Sequence, residues 1–176
     1  MSKRGETKLT GYKKNLVDTP PEPAAAIAPI LRASGGIYTE PCGGAGSLIK
    51  HLTELGVACG EAFDIEPRTA DVEVGDARTR VPRYVSATNP PYERALLMPI
   101  LRAACDWPLP SWWLIPHDVL ANRYFAEVAT HVDNLLPVGR VSWIRNPDGS
   151  PTGPGFENYT WVRLNCEASG FIFRRL

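Results

Sequence analysis

Four short clusters of acid, amide, glycine and proline limit what this chain can fold into. They are Glu40-Pro41-Cys42-Gly43-Gly44-Ala45-Gly46, Asp64-Ile65-Glu66-Pro67, Gly75-Asp76 and Asn89-Pro90-Pro91-Tyr92. Each follows a short apolar or β-branched stretch, so each reads as the turn at the carboxyl end of a strand. Between them lie segments of helical periodicity. Prolines and an acid at Thr19-Pro20-Pro21-Glu22-Pro23 open a helix over 24–33, and Gly35-Gly36 end it. Leu48, Leu52 and Leu55 share a face of a second helix over 47–55, and 93–105 reads as a third. Strands are predicted over 37–39, 58–65, 72–74, 84–88 and 111–115, a further helix over 119–129, and then a hairpin with strands 140–144 and 159–164 around a Pro/Gly-rich loop. Such alternation predicts an α/β fold: a mostly parallel, Rossmann-like sheet with helices on both faces and a C-terminal antiparallel hairpin. In these sheets ligands bind beyond the carboxyl ends of the strands. All four clusters would therefore face one crevice.

The 176 residues suit one domain over 18–176, preceded by a basic, flexible arm over 1–17. No apolar run approaches the ~20 residues needed to span a bilayer. The polar start lacks a secretory signal, so a cytoplasmic protein is expected. Four scattered cysteines form no CxxC pair and read as free thiols, and the three histidines show no metal-ligand spacing. Nineteen basic residues balance nineteen acidic ones, which excludes a chain that coats nucleic acid by net charge. Any such contact needs a local patch, and Lys3, Arg4, Lys8, Lys13 and Lys14 in the arm offer one.

Each cluster has a chemical reading. Glycines 43, 44 and 46 let a backbone approach a ligand or adopt positive φ, as a nucleotide site or simply a tight turn requires. No Gly-Lys-Ser/Thr follows, which excludes a phosphate-cradling loop, and the GxGxxG spacing is absent. Asp64, about twenty residues on, can accept both hydroxyls of a ribose, with Glu66 as its competitor. Asp76 can accept a hydrogen bond from an adenine amine. In Asn89-Pro90-Pro91-Tyr92, two prolines stiffen the turn and remove two donors. The Asn89 side-chain oxygen and the Pro90 carbonyl can then point at one amino group, and Tyr92 supplies a flat face for a planar group. Trp112-Trp113 in one strand must face opposite ways, so one is expected to meet solvent, a helix or substrate. His117-Asp118, without a nucleophile motif, reads as a loop pair.

Together, the glycine turn and Asn89-Pro90-Pro91-Tyr92 resemble the class I S-adenosylmethionine-dependent methyltransferases, and within them the adenine-N6 DNA methyltransferases, small phage and bacterial members included. The resemblance spans roughly residues 18–165 and implies S-adenosyl-L-methionine as cofactor, DNA as partner and methyl transfer to the exocyclic N6 amine of adenine. It implies a cofactor site of Thr19, Pro20, Glu40, Pro41, Cys42, Gly43, Gly44, Gly46, Asp64, Ile65, Asp76, Ala77 and Asn89. It implies a catalytic loop of Asn89, Pro90, Pro91 and Tyr92, with no metal. It implies a single catalytic domain over 18–176 in the cytoplasm of a bacterium or a phage-infected host cell. The family's sequence-reading members carry sizeable recognition domains; no separate target-recognition domain is expected here, and a specificity partner or homo-oligomer is a further expectation. Amines of RNA or of a protein glutamine, or a non-catalytic binding role, are the alternatives.

Overall fold

Pro20 and Pro21 set the first helix in motion: proline at the first helical position forfeits only an N–H that would be unpaired anyway. Helix α1 (Pro21–Ala33) buries Ala24, Ile27, Ala28 and Leu31, an i, i+3, i+4, i+7 stripe. The computed structural model describes residues 18–153 and 155–167; the basic arm expected over 1–17 lies outside them. After α1 come β1 (Ile37–Glu40), α2 (Ser47–Glu54), β2 (Ala58–Asp64), β3 (Glu73–Val74), β4 (Ser86–Thr88), α3 (Arg94–Cys105), β5 (Ser111–Pro116), the single turn α4 (His117–Leu120), β6 (Val132–Arg140) and β7 (Asn158–Leu164). The strands form one sheet in the order β3-β2-β1-β4-β5-β7-β6. The first five are parallel, while β7 runs antiparallel to both β5 and β6. This is the mixed sheet the alternation predicts.

Both faces of the sheet are covered. Trp113, Ile115, Val162 and Leu164 pack with Phe63 and the α3 residues Leu97, Met98 and Leu101. Trp112, Leu114 and Trp161 pack on the other face with Tyr38 and the buried stripe of α1. The period-2 alternation of β5 thus feeds two cores. Neither Trp112 nor Trp113 reaches solvent, and each is at most 2% exposed. Their neighbours satisfy the polar edges: the Trp113 indole donates to Ser111 Oγ at 2.8 Å, and the Trp161 indole to the Pro23 carbonyl at 3.0 Å. Each such burial contributes roughly 1.5–3 kcal/mol. Among the described residues, no helix is long and apolar enough to cross a membrane.

Two expected elements differ. The helix read over 119–129 is instead α4 followed by two 3-10 turns, Arg123–Glu127 and Ala129–His131. The cause lies in Asn122, whose amide donates to the Asp118 carbonyl at 2.9 Å and offers the backbone an alternative to the helical ladder. The first hairpin strand is Val132–Arg140 rather than 140–144. Pro137 and Gly139 make that stretch look like a turn. On the sheet edge, however, a missing N–H costs little, and the register shifts between Pro137 and Gly139, which holds φ at 87°. The connecting loop therefore covers 141–157.

Inside β2, Glu61 is nearly solvent-free. Its carboxylate accepts from the Arg80 guanidinium at 2.8 Å, the Arg83 N–H at 3.0 Å and the Thr39 hydroxyl at 3.2 Å. Burial alone would raise its pKa, but these donors outweigh burial and hold it below the ordinary value. A carboxylate with a depressed folded pKa stabilises fully above its unfolded pKa, and that stabilisation is lost as pH falls through the folded value. Unfolding measured from about pH 7 to about pH 3 should show a shallower acid loss in Glu61→Gln than in the wild type, with the variant about 1–3 kcal/mol less stable near neutrality.

Candidate active site

Strand β1 turns toward β2 on one side and neighbours β4 on the other, so the sheet order reverses between β1 and β4. That reversal opens a crevice at the strand carboxyl ends. Thr39 of β1 lies beside Ser86 of β4, which brings the turn after Glu40 and the elbow after Thr88 out of the sheet side by side. Parallel neighbours are ~4.8 Å apart. The clusters after β1, β2, β3 and β4 all emerge on this one edge, as the sequence predicts.

At the root of the glycine turn, Glu40 is 1% exposed, and its Oε2 makes no hydrogen bond of ordinary geometry. Burial drives the Glu40 pKa well above the carboxylate range against the pull of the nearby Thr88 hydroxyl and the Cys42 backbone, and the charge of Asp64 raises it further. A buried carboxylate in this state calls for a proton or a cation. Above it the turn is tight. The Gly46 N–H donates to the Gly43 carbonyl at 2.7 Å, and Gly44 and Gly46 hold φ at 50° and 77°. A Cβ on Gly43 would lie 2.9 Å from the Val72 side chain. Pro41 is buried, and Cys42 is half-buried against the core with its thiol pKa pushed up by burial.

Asp64 does work that its sequence position alone did not reveal. One oxygen accepts from the Gly44 N–H at 2.9 Å and the other from the Glu66 N–H at 2.8 Å. The carboxylate pins the glycine turn to the end of β2 and keeps a second lone pair on each oxygen. Ile65 beside it is 61% exposed. Asp76 is clasped by Arg78, whose side chain donates to both oxygens and whose N–H donates to one. These bonds lower the Asp76 pKa. A ligand amine at Asp76 would share it with that guanidinium. Ala77 is buried in the core, which leaves only its backbone to meet a ligand.

The elbow is held from two directions. The Asn89 amide donates to the Thr19 hydroxyl at 3.1 Å, so the buried Thr19-Pro20 segment reaches the elbow from the far end of the chain. Tyr92 donates its hydroxyl to Asn89 Oδ1 at 2.5 Å. Pro90 is buried between these contacts. The Tyr92 ring lies 5.8 Å from Tyr159 and 6.2 Å from Trp143, centroid to centroid, and burial raises its pKa. Trp143 and Tyr159 form an aromatic wall that sequence reading missed, because Trp143 falls within the displaced hairpin strand. Arg68 was missed as well. Its N–H donates to the Gly44 carbonyl at 2.9 Å, and its guanidinium reaches Asp18 at 3.1 Å. His117 and Asp118 begin α4 and do not form the loop pair expected, and the His117 Nδ1 bonds the Thr160 hydroxyl at 2.9 Å. No cluster of metal-ligating side chains exists among the described residues.

The sequence matches no protein-family profile and no curated protein. Solved structures do resemble it. A candidate class I S-adenosylmethionine-dependent methyltransferase from Listeria monocytogenes aligns over 94% of this chain and 65% of its own, with a TM-score of 0.59 and 10% identity. A candidate RNA methyltransferase from Pyrococcus horikoshii aligns over 84% of each chain, with a TM-score of 0.53 and 14% identity. A Thermoplasma acidophilum protein aligns over 82% of this chain and 89% of its own, at 0.52 and 19%. At such identities the likeness bears on architecture alone: the chain has the Rossmann-like fold of the class I methyltransferases.

Proposed function

We propose that this chain is an S-adenosylmethionine-dependent methyltransferase acting on the exocyclic N6 amine of adenine in DNA. The observation that carries the reading is the adjacency of two turns at the sheet reversal, one rooted on the buried carboxylate of Glu40 and the other the stiffened Asn89-Pro90-Pro91-Tyr92 elbow. The residues fit the cofactor. Glu40 offers a buried anion to the ammonium of a methionine moiety, with Thr19 and Pro20 beside the same end. Pro41, Cys42, Gly43, Gly44 and Gly46 give a backbone that a ligand can approach closely. Asp64 retains lone pairs for ribose hydroxyls, and Asp76 accepts from an adenine amine flanked by Ile65 and Ala77.

Bound S-adenosylmethionine would supply an electrophilic methyl group, so the protein has mainly to align an amine with it. Asn89 Oδ1 and the Pro90 carbonyl accept the N–H groups of that amine and turn its lone pair outward. The Tyr92 hydroxyl holds Asn89 Oδ1 in position, and the Tyr92 ring offers the planar surface. Asn89, Pro90 and Pro91 carry no basic side chain. The methylated nitrogen, once positively charged, sheds its proton to water. An amine in RNA is the second reading, favoured by the Pyrococcus neighbour, which is described as acting on RNA. A protein glutamine remains open to the same chemistry.

Labelled methyl transfer compared across duplex DNA, structured RNA and protein decides among these. Recovery of N6-methyladenine from digested DNA is the expected result, and label confined to RNA or protein would overturn the DNA reading. Asn89→Ala should lower turnover by about 100-fold or more, with a much smaller loss of cofactor affinity. Tyr92→Phe keeps the ring but drops the hydroxyl, and should cost about tenfold in turnover, less than Tyr92→Ala. Glu40→Gln should weaken S-adenosylmethionine binding roughly tenfold, read by calorimetry, because a charge-assisted contact becomes neutral.

A further inference from the structure

Phe156 is 86% exposed, more than any other large apolar side chain among the described residues. A lone exposed aromatic is ordinary. The residues flanking this one are not. Gly155, at φ 72°, lies so close to Val141 that a Cβ would stand 2.4 Å from the Val141 carbonyl oxygen. On the other side, the Glu157 carbonyl accepts from the Val141 N–H at 3.4 Å, and the Glu157 carboxylate accepts from the Tyr159 hydroxyl at 3.1 Å. The backbone is thus anchored on both sides of a ring left in water.

The position matters as much as the anchoring. Tyr159 pairs with Pro116 at the end of β5, so this end of the hairpin rises on the same edge of the sheet as the elbow. Tyr159 also stands 5.8 Å from the Tyr92 ring. Across the hairpin, Arg140 pairs with Asn158, two residues from Phe156. Arg140 is exposed and has no acidic partner among the described residues, whereas Arg145 in the following loop is held by Glu22. A fixed apolar ring and an uncompensated cation therefore flank the crevice together.

An adenine amine inside a duplex cannot reach a crevice of this kind, so the base must leave the stack, and the gap it leaves is costly. Apolar side chains that enter base steps offset that loss. Building on the DNA reading above, we propose that Phe156 enters the duplex at the position vacated by the acceptor adenine, while Arg140 neutralises an adjoining phosphate. Phenylalanine suits the task because it carries no hydroxyl that would need a partner inside the stack.

The test uses the full chain and a duplex containing an adenine that it methylates, with 2-aminopurine replacing that adenine in a second duplex. Wild-type protein should raise 2-aminopurine fluorescence on binding. Phe156→Ala should largely lose the rise and lower the ratio of duplex to single-strand methylation about tenfold, whereas Phe156→Trp should retain both. Arg140→Gln should reduce the slope of log affinity against log salt by about one. Unchanged ratio and fluorescence in Phe156→Ala would overturn the wedge while leaving the DNA reading intact. A wild-type chain that methylates only RNA or protein would overturn both.

Discussion

The pairing of β1 with β4 governs the molecule. Strand β1 sits where the chain's progress through the parallel part of the sheet changes direction, with β2 and β3 to one side and β4 and β5 to the other. The turns from both halves of the fold converge at the carboxyl end of that seam. A single register pair, Thr39 with Ser86, aligns the glycine turn with the proline elbow. The remaining architecture, with its two tryptophan-rich cores, keeps that seam straight.

Polar groups buried near the seam fall into two kinds. Glu61 is surrounded by donors and behaves as a structural anion that ties β2 to β1 and to the Arg80–Arg83 segment. Glu40 is deeper, makes no hydrogen bond of ordinary geometry through Oε2 and lies within the field of Asp64. Such a group costs stability unless something fills its demand. The contrast between two glutamates in neighbouring strands separates scaffold from site.

Much of this was legible in the sequence, for physical reasons. Strand-end turns declare themselves through glycine and proline, and the stripe of α1 through helical spacing, because those features are local. Asn89, Pro90 and Tyr92 were recognisable because their chemistry lies in one tetrapeptide. What escaped depends on distant partners. The Asp64 bond to Gly44 and the reach of Thr19 to Asn89 join residues far apart in the chain. Strand β6 was misplaced because Pro137 and Gly139 carry turn propensities that an edge position tolerates, and edge status is a property of the completed sheet.

The bond from the Trp161 indole to the Pro23 carbonyl has a consequence for biosynthesis. It anchors the start of α1, and with it the neighbouring Thr19 that touches the elbow, to a strand made 138 residues later. A nascent polypeptide that has emerged only as far as β5 holds every motif of the crevice without the brace that fixes them. The brace on α1 therefore needs β7, the last strand of the described chain, in its place between β5 and β6.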